Sequence, residues 1–127
     1  MKKAFALLAA VFFAIPAFAG EYPDISITEL KSAIAEKKVT VIDVNGGDSY
    51  KNGHIPSAID YSTEGKDLAS KLPAEKDSLI VAYCGGPSCG AYVKAANEAK
   101  KLGYTNVKHL SAGISGWLQA GEKTEKK

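Results

Sequence analysis

The sequence predicts an α/β fold, a small and mainly parallel sheet with helices on both faces. Three observations lead there. The runs "VTVIDVN" (39–45) and "SLIVAYC" (78–84) are continuously apolar and rich in β-branched residues, the mark of strands covered on both faces. Segments of helical periodicity alternate with these runs at intervals too long for hairpins. Parallel pairing with crossover helices is the economical solution to that alternation. The chain carries no internal repeat and no dividing linker, so a single domain is expected.

The elements follow in order. "MKKAFALLAAVFFAIPAFAG" sets Lys2 and Lys3 before an apolar run that ends in Ala17-Phe18-Ala19. That is the pattern of a secretory signal peptide, expected at 1–19 with cleavage near Ala19. It is short for a membrane span, contains Pro16 and passes at once into polar chain. The mature protein is therefore expected to be periplasmic or secreted, with a domain over 20–121 and a solvated tail at 122–127. "SITELKSAIAEKK" opens with Ser26 and has Glu29 three residues on, a capping box. Ile27, Leu30, Ala33 and Ile34 then share one helical face.

After the strand at 39–45, "GGDSYKNGHIPSA" reads as a turn-rich connection leading to a short strand near "AIDYS". "DLASKL" is a short helix ended before Pro73, and "SLIVAYC" is the second buried strand. The helix after the cysteines places Ala91, Ala95, Ala99 and Leu102 on one stripe and stops at Gly103. "NVKHL" forms a further strand and "GISGWLQAG" a last short helix.

Composition narrows the function. Without its leader the chain loses two of its 16 basic residues, leaving 14 lysines against 14 acids. A near-neutral domain gives no electrostatic support for a nucleic-acid or anionic-membrane partner. Two cysteines are too few for a disulfide-built scaffold, so packing must hold the fold.

Both cysteines lie in "YCGGPSCG" (83–90). Cys84 closes a buried strand, and Cys89-Gly90 are expected to open the following helix. Ligands of parallel sheets bind at such junctions. Gly85 and Gly86 are expected to use positive φ values that turn successive N–H groups inward, with Pro87 shaping the turn. A sulfur at that focus, near a helix N-terminus, would be held as a nucleophilic thiolate. Cys84 is thus the candidate catalytic residue. Gly85, Gly86, Ser88, Cys89 and Gly90 are candidate substrate-binding residues through their backbone N–H groups.

Three stretches together resemble the single-domain rhodanese-like sulfurtransferases. "VIDVNGGDSYKNGHIPSAI" is similar to the family's first signature, an Asp-Val pair followed by Gly-His-Ile-Pro. "AYCGGPSCGAYVKAANEAKKLGY" resembles the active-site loop and helix of a branch whose loop reads Cys-x4-Cys, and "LSAGISGW" the closing Gly-Ile-x-x-Trp stretch. The resemblance implies that Cys84 takes a sulfur atom from a small donor, holds it as a persulfide and passes it to a thiol or other thiophilic acceptor. No cofactor and no metal are expected, and the sequence does not identify a protein partner.

The loop departs from the family in charge. Gly85 to Gly90 contains no lysine or arginine, and Asn45 stands where the family commonly has arginine. A dianionic donor would rest on a helix dipole worth about 0.3–1 kcal/mol rather than on charge-assisted hydrogen bonds of about 1.5–3 kcal/mol each. A polysulfide or persulfide donor is expected in preference to thiosulfate.

Other readings of the pair remain open on the residues alone. A metal site needs three or four ligands, and His54 and His109 are distant in sequence; His54 is expected to hold a turn and His109 to end a strand. A Cys-x5-Arg phosphatase or arsenate-reductase loop would need arginine where Gly90 stands. A staple closing so short a loop contributes only about 2 kcal/mol. A reversible pair, with Cys89 as redox partner of Cys84, and a thiol-redox or sulfur-binding module without turnover are the stronger alternatives. Either requires the two cysteines to lie close in the folded loop. Trp117 is expected as a core anchor, Asp43 as a satisfied polar group at a strand end and Asp48 as a turn residue.

Overall fold

Residues 22–127 are described by a computed structural model of the chain. The expected leader and its cleavage site lie outside these residues. Strands β1 (Val39–Asp43), β2 (Ile59–Asp60), β3 (Leu79–Tyr83) and β4 (Asn106–His109) form one sheet in the order β2-β1-β3-β4. Every pairing between them is parallel. Beyond β4, His109 donates its N–H to Pro23 O and accepts from the Ile25 N–H, both at 2.9 Å, so the chain entering the domain borders that edge.

The two faces of the sheet explain the continuous apolar runs. Ile42, Ile80, Ala82 and Val107 point to one face and pack with Leu68, Leu72 and the helix α5 (Tyr92–Lys101). Val41, Val81 and Tyr83 point to the other, where Leu30 of α1 (Ile27–Ala35), Ile55, Leu110 and Trp117 of α6 (Gly113–Gln119) cover them. Successive strand residues alternate between faces, so a strand buried on both must be apolar throughout. Helix α1 begins as its sequence requires. The Ser26 hydroxyl accepts from the Glu29 N–H at 3.0 Å, and the Glu29 carboxylate accepts from the Ser26 N–H at 3.1 Å. Such a cap is worth about 1 kcal/mol.

Several local expectations are corrected. The turn-rich connection contains a short helix, α2 (Gly47–Asn52), and the strand near 58–62 shrinks to the two residues of β2. Helix α3 (Tyr61–Glu64), a 3-10 turn (Gly65–Asp67) and α4 (Leu68–Lys71) follow it. The buried stripe of α5 is Tyr92, Ala95, Ala96 and Ala99. Ala91 is exposed, because the helix starts one residue after it.

The last residues have solvent-exposed lysines but are no free tail. Trp117 Nε1 donates to Lys123 O at 2.7 Å, and His54 and Glu125 exchange two backbone hydrogen bonds of 2.9 Å each. The Ser57 N–H adds a bond of 3.0 Å to the Glu125 carboxylate. His54 holds this turn from inside, its Nδ1 donating to Tyr50 O at 2.7 Å and its ring stacked on Tyr50. Trp117, 2 % exposed, anchors α6.

Chain order creates the crevice. From β1 the chain passes to β2 on one side, then to β3 on the other. The C-terminal ends of β1 and β3 therefore flank a topological switch point, where open parallel sheets bind ligands.

Candidate active site at the ends of the central strands

Cys84 directly follows β3 at this switch point. The Val44 N–H donates to Tyr83 O at 3.0 Å, which carries the strand pairing on past β1 and brings Asn45 beside Gly85. A Cβ built on Gly85 would meet the Asn45 Oδ1 at 3.8 Å. Cys84 is 2 % exposed within the α5-side core, and Cys89 packs against the same cluster while remaining partly exposed. The two are joined as a disulfide with Cα atoms 6.3 Å apart. The expected proximity is met, and the distance falls in the range of ordinary disulfides.

The conformation of the loop is set from the opposite side. The N–H groups of Ile114 and Ser115, in the first turn of α6, donate to Cys84 O and Gly85 O at 3.0 Å each. First-turn amides have no partner within their own helix, so the loop carbonyls satisfy them. Across a planar trans peptide the carbonyl and the next N–H point in opposite directions. Drawing the Cys84 and Gly85 carbonyls toward α6 therefore turns the Gly85 and Gly86 N–H groups away from it, toward the crevice. Among the described residues neither N–H is taken by a backbone carbonyl.

This differs from the sequence expectation in its cause. Gly85 and Gly86 do not have positive φ; the glycine packed against the loop, Gly113 at the start of α6, does, at +64°. A Cβ there would lie 2.5 Å from Gly85 C, 2.6 Å from Gly86 N and 2.7 Å from Cys84 O. Only glycine lets the helix come close enough to take the loop carbonyls. Gly113 is thus a functional position that sequence reasoning passed over, although it lies in the quoted "LSAGISGW".

Cys89 is a second correction. Its N–H donates to Gly86 O at 3.1 Å, closing a turn within the loop, so it is not available to a ligand here. Helix α5 begins at Tyr92 with Ala91 as an N-cap lacking a side-chain cap, later than the expected Cys89-Gly90 start. Ser88 and Gly90 are exposed, as is Pro87, and form the outer rim of the loop.

Two buried polar groups stand on either side. Asp43, 1 % exposed, accepts from the Tyr83 hydroxyl at 2.5 Å and from the Asn45 N–H at 2.7 Å, while the Tyr83 hydroxyl accepts from the Ile55 N–H at 3.0 Å. Burial pushes the Asp43 carboxyl above its ordinary range, against those hydrogen bonds. The Tyr83 phenol is pushed up by its own burial and by the Asp43 charge. Asp43 is thus a satisfied group at the strand end that also orients the Asn45 turn. The Asn45 Nδ2 is buried with no hydrogen-bond partner among the described residues. Asp48 sits in the first turn of α2.

On the other side His109 ends β4, 8 % exposed and stacked face to face on Tyr92 with ring centroids 3.4 Å apart. Its Nε2 has no hydrogen-bond partner among the described residues, and burial pushes its pKa down. It pairs in register with Ala82, two residues before Cys84. Among the described residues no three His, Cys, Asp or Glu side chains gather to hold a metal, and no helix is long and apolar enough to cross a membrane.

Known proteins are similar to this chain in sequence and in fold. The chain is 25% identical over 103 residues to the thiosulfate sulfurtransferase GlpE of Shewanella oneidensis, covering 78% of this chain and 95% of that protein. It is 38% identical over 85 residues to an HTH-type transcriptional regulator of Mycobacterium tuberculosis, covering 66% of this chain but only 36% of the regulator's length. The crystal structure of thiosulfate sulfurtransferase from Pseudomonas aeruginosa superposes with a TM-score of 0.69 at 27% identity, covering 84% of this chain and 20% of that one. The rhodanese-like domain of an Anabaena protein superposes with a TM-score of 0.65 at 29% identity, over 83% of this chain and 80% of that one. The sheet, the strand-end cysteine and a match to the rhodanese-like domain over residues 26–120 agree: the chain belongs to the rhodanese-like family.

Proposed function

We propose that this protein is an exported sulfurtransferase that carries sulfane sulfur as a persulfide on Cys84. The observation that carries the reading is the pull of α6 on the Cys84 and Gly85 carbonyls, which aims the Gly85 and Gly86 N–H groups at the strand-end crevice. Convergent backbone donors stabilise an anionic sulfur, and a thiolate is the nucleophile. Once the pair is reduced, the Cys84 thiolate attacks the outer sulfur of a persulfide or polysulfide. The donor's S–S bond breaks, its thiolate leaves with the electron pair, and Cys84 retains one sulfur. A thiophilic acceptor then attacks that outer sulfur, and Cys84 leaves as the thiolate.

The loop has no cation, and the side chain beside it is an amide, Asn45. This supports polysulfide or persulfide donors over thiosulfate, although relatives carry thiosulfate in their names. The signal-peptide pattern of the sequence at 1–19 supports action in the periplasm or outside the cell.

Intact-mass analysis of the reduced protein after exposure to polysulfide, a small persulfide and thiosulfate tests the reading. One added sulfur on C89S, which keeps Cys84 but lacks the neighbouring thiol, and none on C84S, is expected with the first two donors. Sulfur gain by C84S but not by C89S would reverse the assignment. The disulfide favours a second reading, a thiol-redox module without turnover. Stable loading with no transfer to cyanide or a thiol would select it.

A further inference from the structure

Granting the persulfide on Cys84, we propose that Cys89 supplies a further activity: it expels the bound sulfur as sulfide, making the domain a sulfane-sulfur reductase reset by an external dithiol. Cys89 and Cys84 are the only cysteines of the chain. Their sulfurs are directly bonded, so the folded loop accommodates the product of an attack by Cys89 on Cys84 Sγ itself.

The step balances. Loaded Cys84 carries Sγ bonded to an outer sulfur, and Cys89 is a thiol. The Cys89 thiolate attacks Cys84 Sγ, and a new Sγ–Sγ bond forms. The bond from Sγ to the outer sulfur breaks, and the outer sulfur leaves with its electron pair as HS⁻, taking up the Cys89 proton as the pH allows. Sulfane sulfur is reduced to sulfide, and the two cysteines are oxidised to the disulfide. A dithiol then reduces that disulfide, becoming oxidised itself, and returns both thiols.

Burial gives the cycle a direction. Cys84 is 2 % exposed, whereas Cys89 is partly exposed on a rim formed by Pro87, Ser88 and Gly90. A Cβ at Gly90 would meet nothing within 4 Å, so the approach beside Cys89 is open. An incoming thiolate therefore reaches the Cys89 sulfur first, and the leaving group is Cys84. Thiol–disulfide exchange is faster when the leaving thiol has the lower pKa. The Gly85 and Gly86 amides stabilise that departing thiolate and leave Cys84 ready for the next donor.

Fully reduced protein is loaded with polysulfide, freed of small molecules and incubated without added thiol. Sulfide is measured together with intact mass, and C84S reports background. Wild type is expected to release one sulfide per chain and end as the disulfide. C89S and C89A are expected to retain the added sulfur until a dithiol is supplied. Retention by the wild type, or migration of the sulfur to Cys89 without sulfide release, would overturn this step while leaving the persulfide reading intact. Absence of both sulfur gain and sulfide release above background in all proteins would overturn both.

Discussion

The Cys84 loop meets the rest of the domain in two contrasting ways. Toward the crevice its glycines face space. A Cβ on Gly85 would meet only the Asn45 Oδ1, at 3.8 Å, and one on Gly90 nothing within 4 Å. Toward α6 there is no room at all, because the loop backbone lies against Gly113. The same residue type does opposite work on the two sides. The crevice glycines leave N–H groups accessible, and the buried glycine lets a helix hold the carbonyls that orient them.

The largest test strikes the crowded side. Gly113→Ala places a methyl group inside the loop backbone and demands a left-handed conformation from a residue that disfavours it. Strain of about 1–3 kcal/mol from the backbone and about 1–3 kcal/mol from overpacking add to a loss of roughly 2–6 kcal/mol. Denaturant unfolding should show that loss, and sulfur loading should fall with it, because the loop carbonyls lose their donors. Unchanged stability would mean that the turn is soft and that the loop holds its own shape.

Acid probes the same side more gently. His109 ends the strand that delivers the chain to this turn, and the Ser111 N–H donates to the Asp24 carboxylate at 2.8 Å. Burial lowers the His109 pKa from its ordinary 6.5, while Asp24 opposes the shift. The unfolded chain therefore binds the proton more readily than the folded one. His109 contributes stability that is full above pH 6.5 and is lost as the pH falls through its lower folded value. Stability measured across that interval should decline in the wild type and decline less in His109→Gln. Equal slopes would show that His109 is not the group responsible. Asp43, on the crevice side, has the opposite sign. Its raised pKa gives stability that is full below the ordinary 3.8 and is lost as the pH rises through the folded value.

These asymmetries mark what the sequence made legible. Continuous apolar runs identified β1 and β3 because burial on both faces removes alternation. Ser26 and Glu29 located the start of α1 because a cap is local chemistry. Cys84 stood out because a cysteine between a buried strand and a glycine-rich turn is a rare setting. The role of Gly113 was not legible, since it depends on contact with residues almost thirty positions earlier in the chain. The same holds for the fastening of Glu125 to His54. The assignment of positive φ to Gly85 and Gly86 failed for a related reason. Inward-facing amides can be produced by turning a backbone, or by pulling its carbonyls from behind, and local sequence does not distinguish the two.

Returning to the open side, Gly85→Ala should separate binding from folding. Its new methyl group meets only the Asn45 Oδ1, at 3.8 Å. Stability should change by less than about 1 kcal/mol, while donor affinity falls roughly tenfold as the methyl group enters the site. Stopped-flow loading at varied donor concentration measures this. A large loss of stability, with affinity unchanged among the folded molecules, would contradict the picture of an open crevice.

The smallest effect is expected at Gly90, and it carries a change of sign. Gly90 has no positive φ, and a Cβ there meets nothing. Alanine at such a position restricts the unfolded chain without straining the folded one, a gain of about 0.4–1 kcal/mol. Gly90→Ala should therefore unfold at slightly higher denaturant, whereas Gly113→Ala unfolds at much lower. Loading on Cys84 should remain, because the amides held by α6 belong to Gly85 and Gly86. The proposed dithiol reset should slow modestly, since the methyl group narrows the approach to Cys89. A destabilised Gly90→Ala would mean that the rim is packed in solution, and the contrast between the two sides of the loop would fail there first.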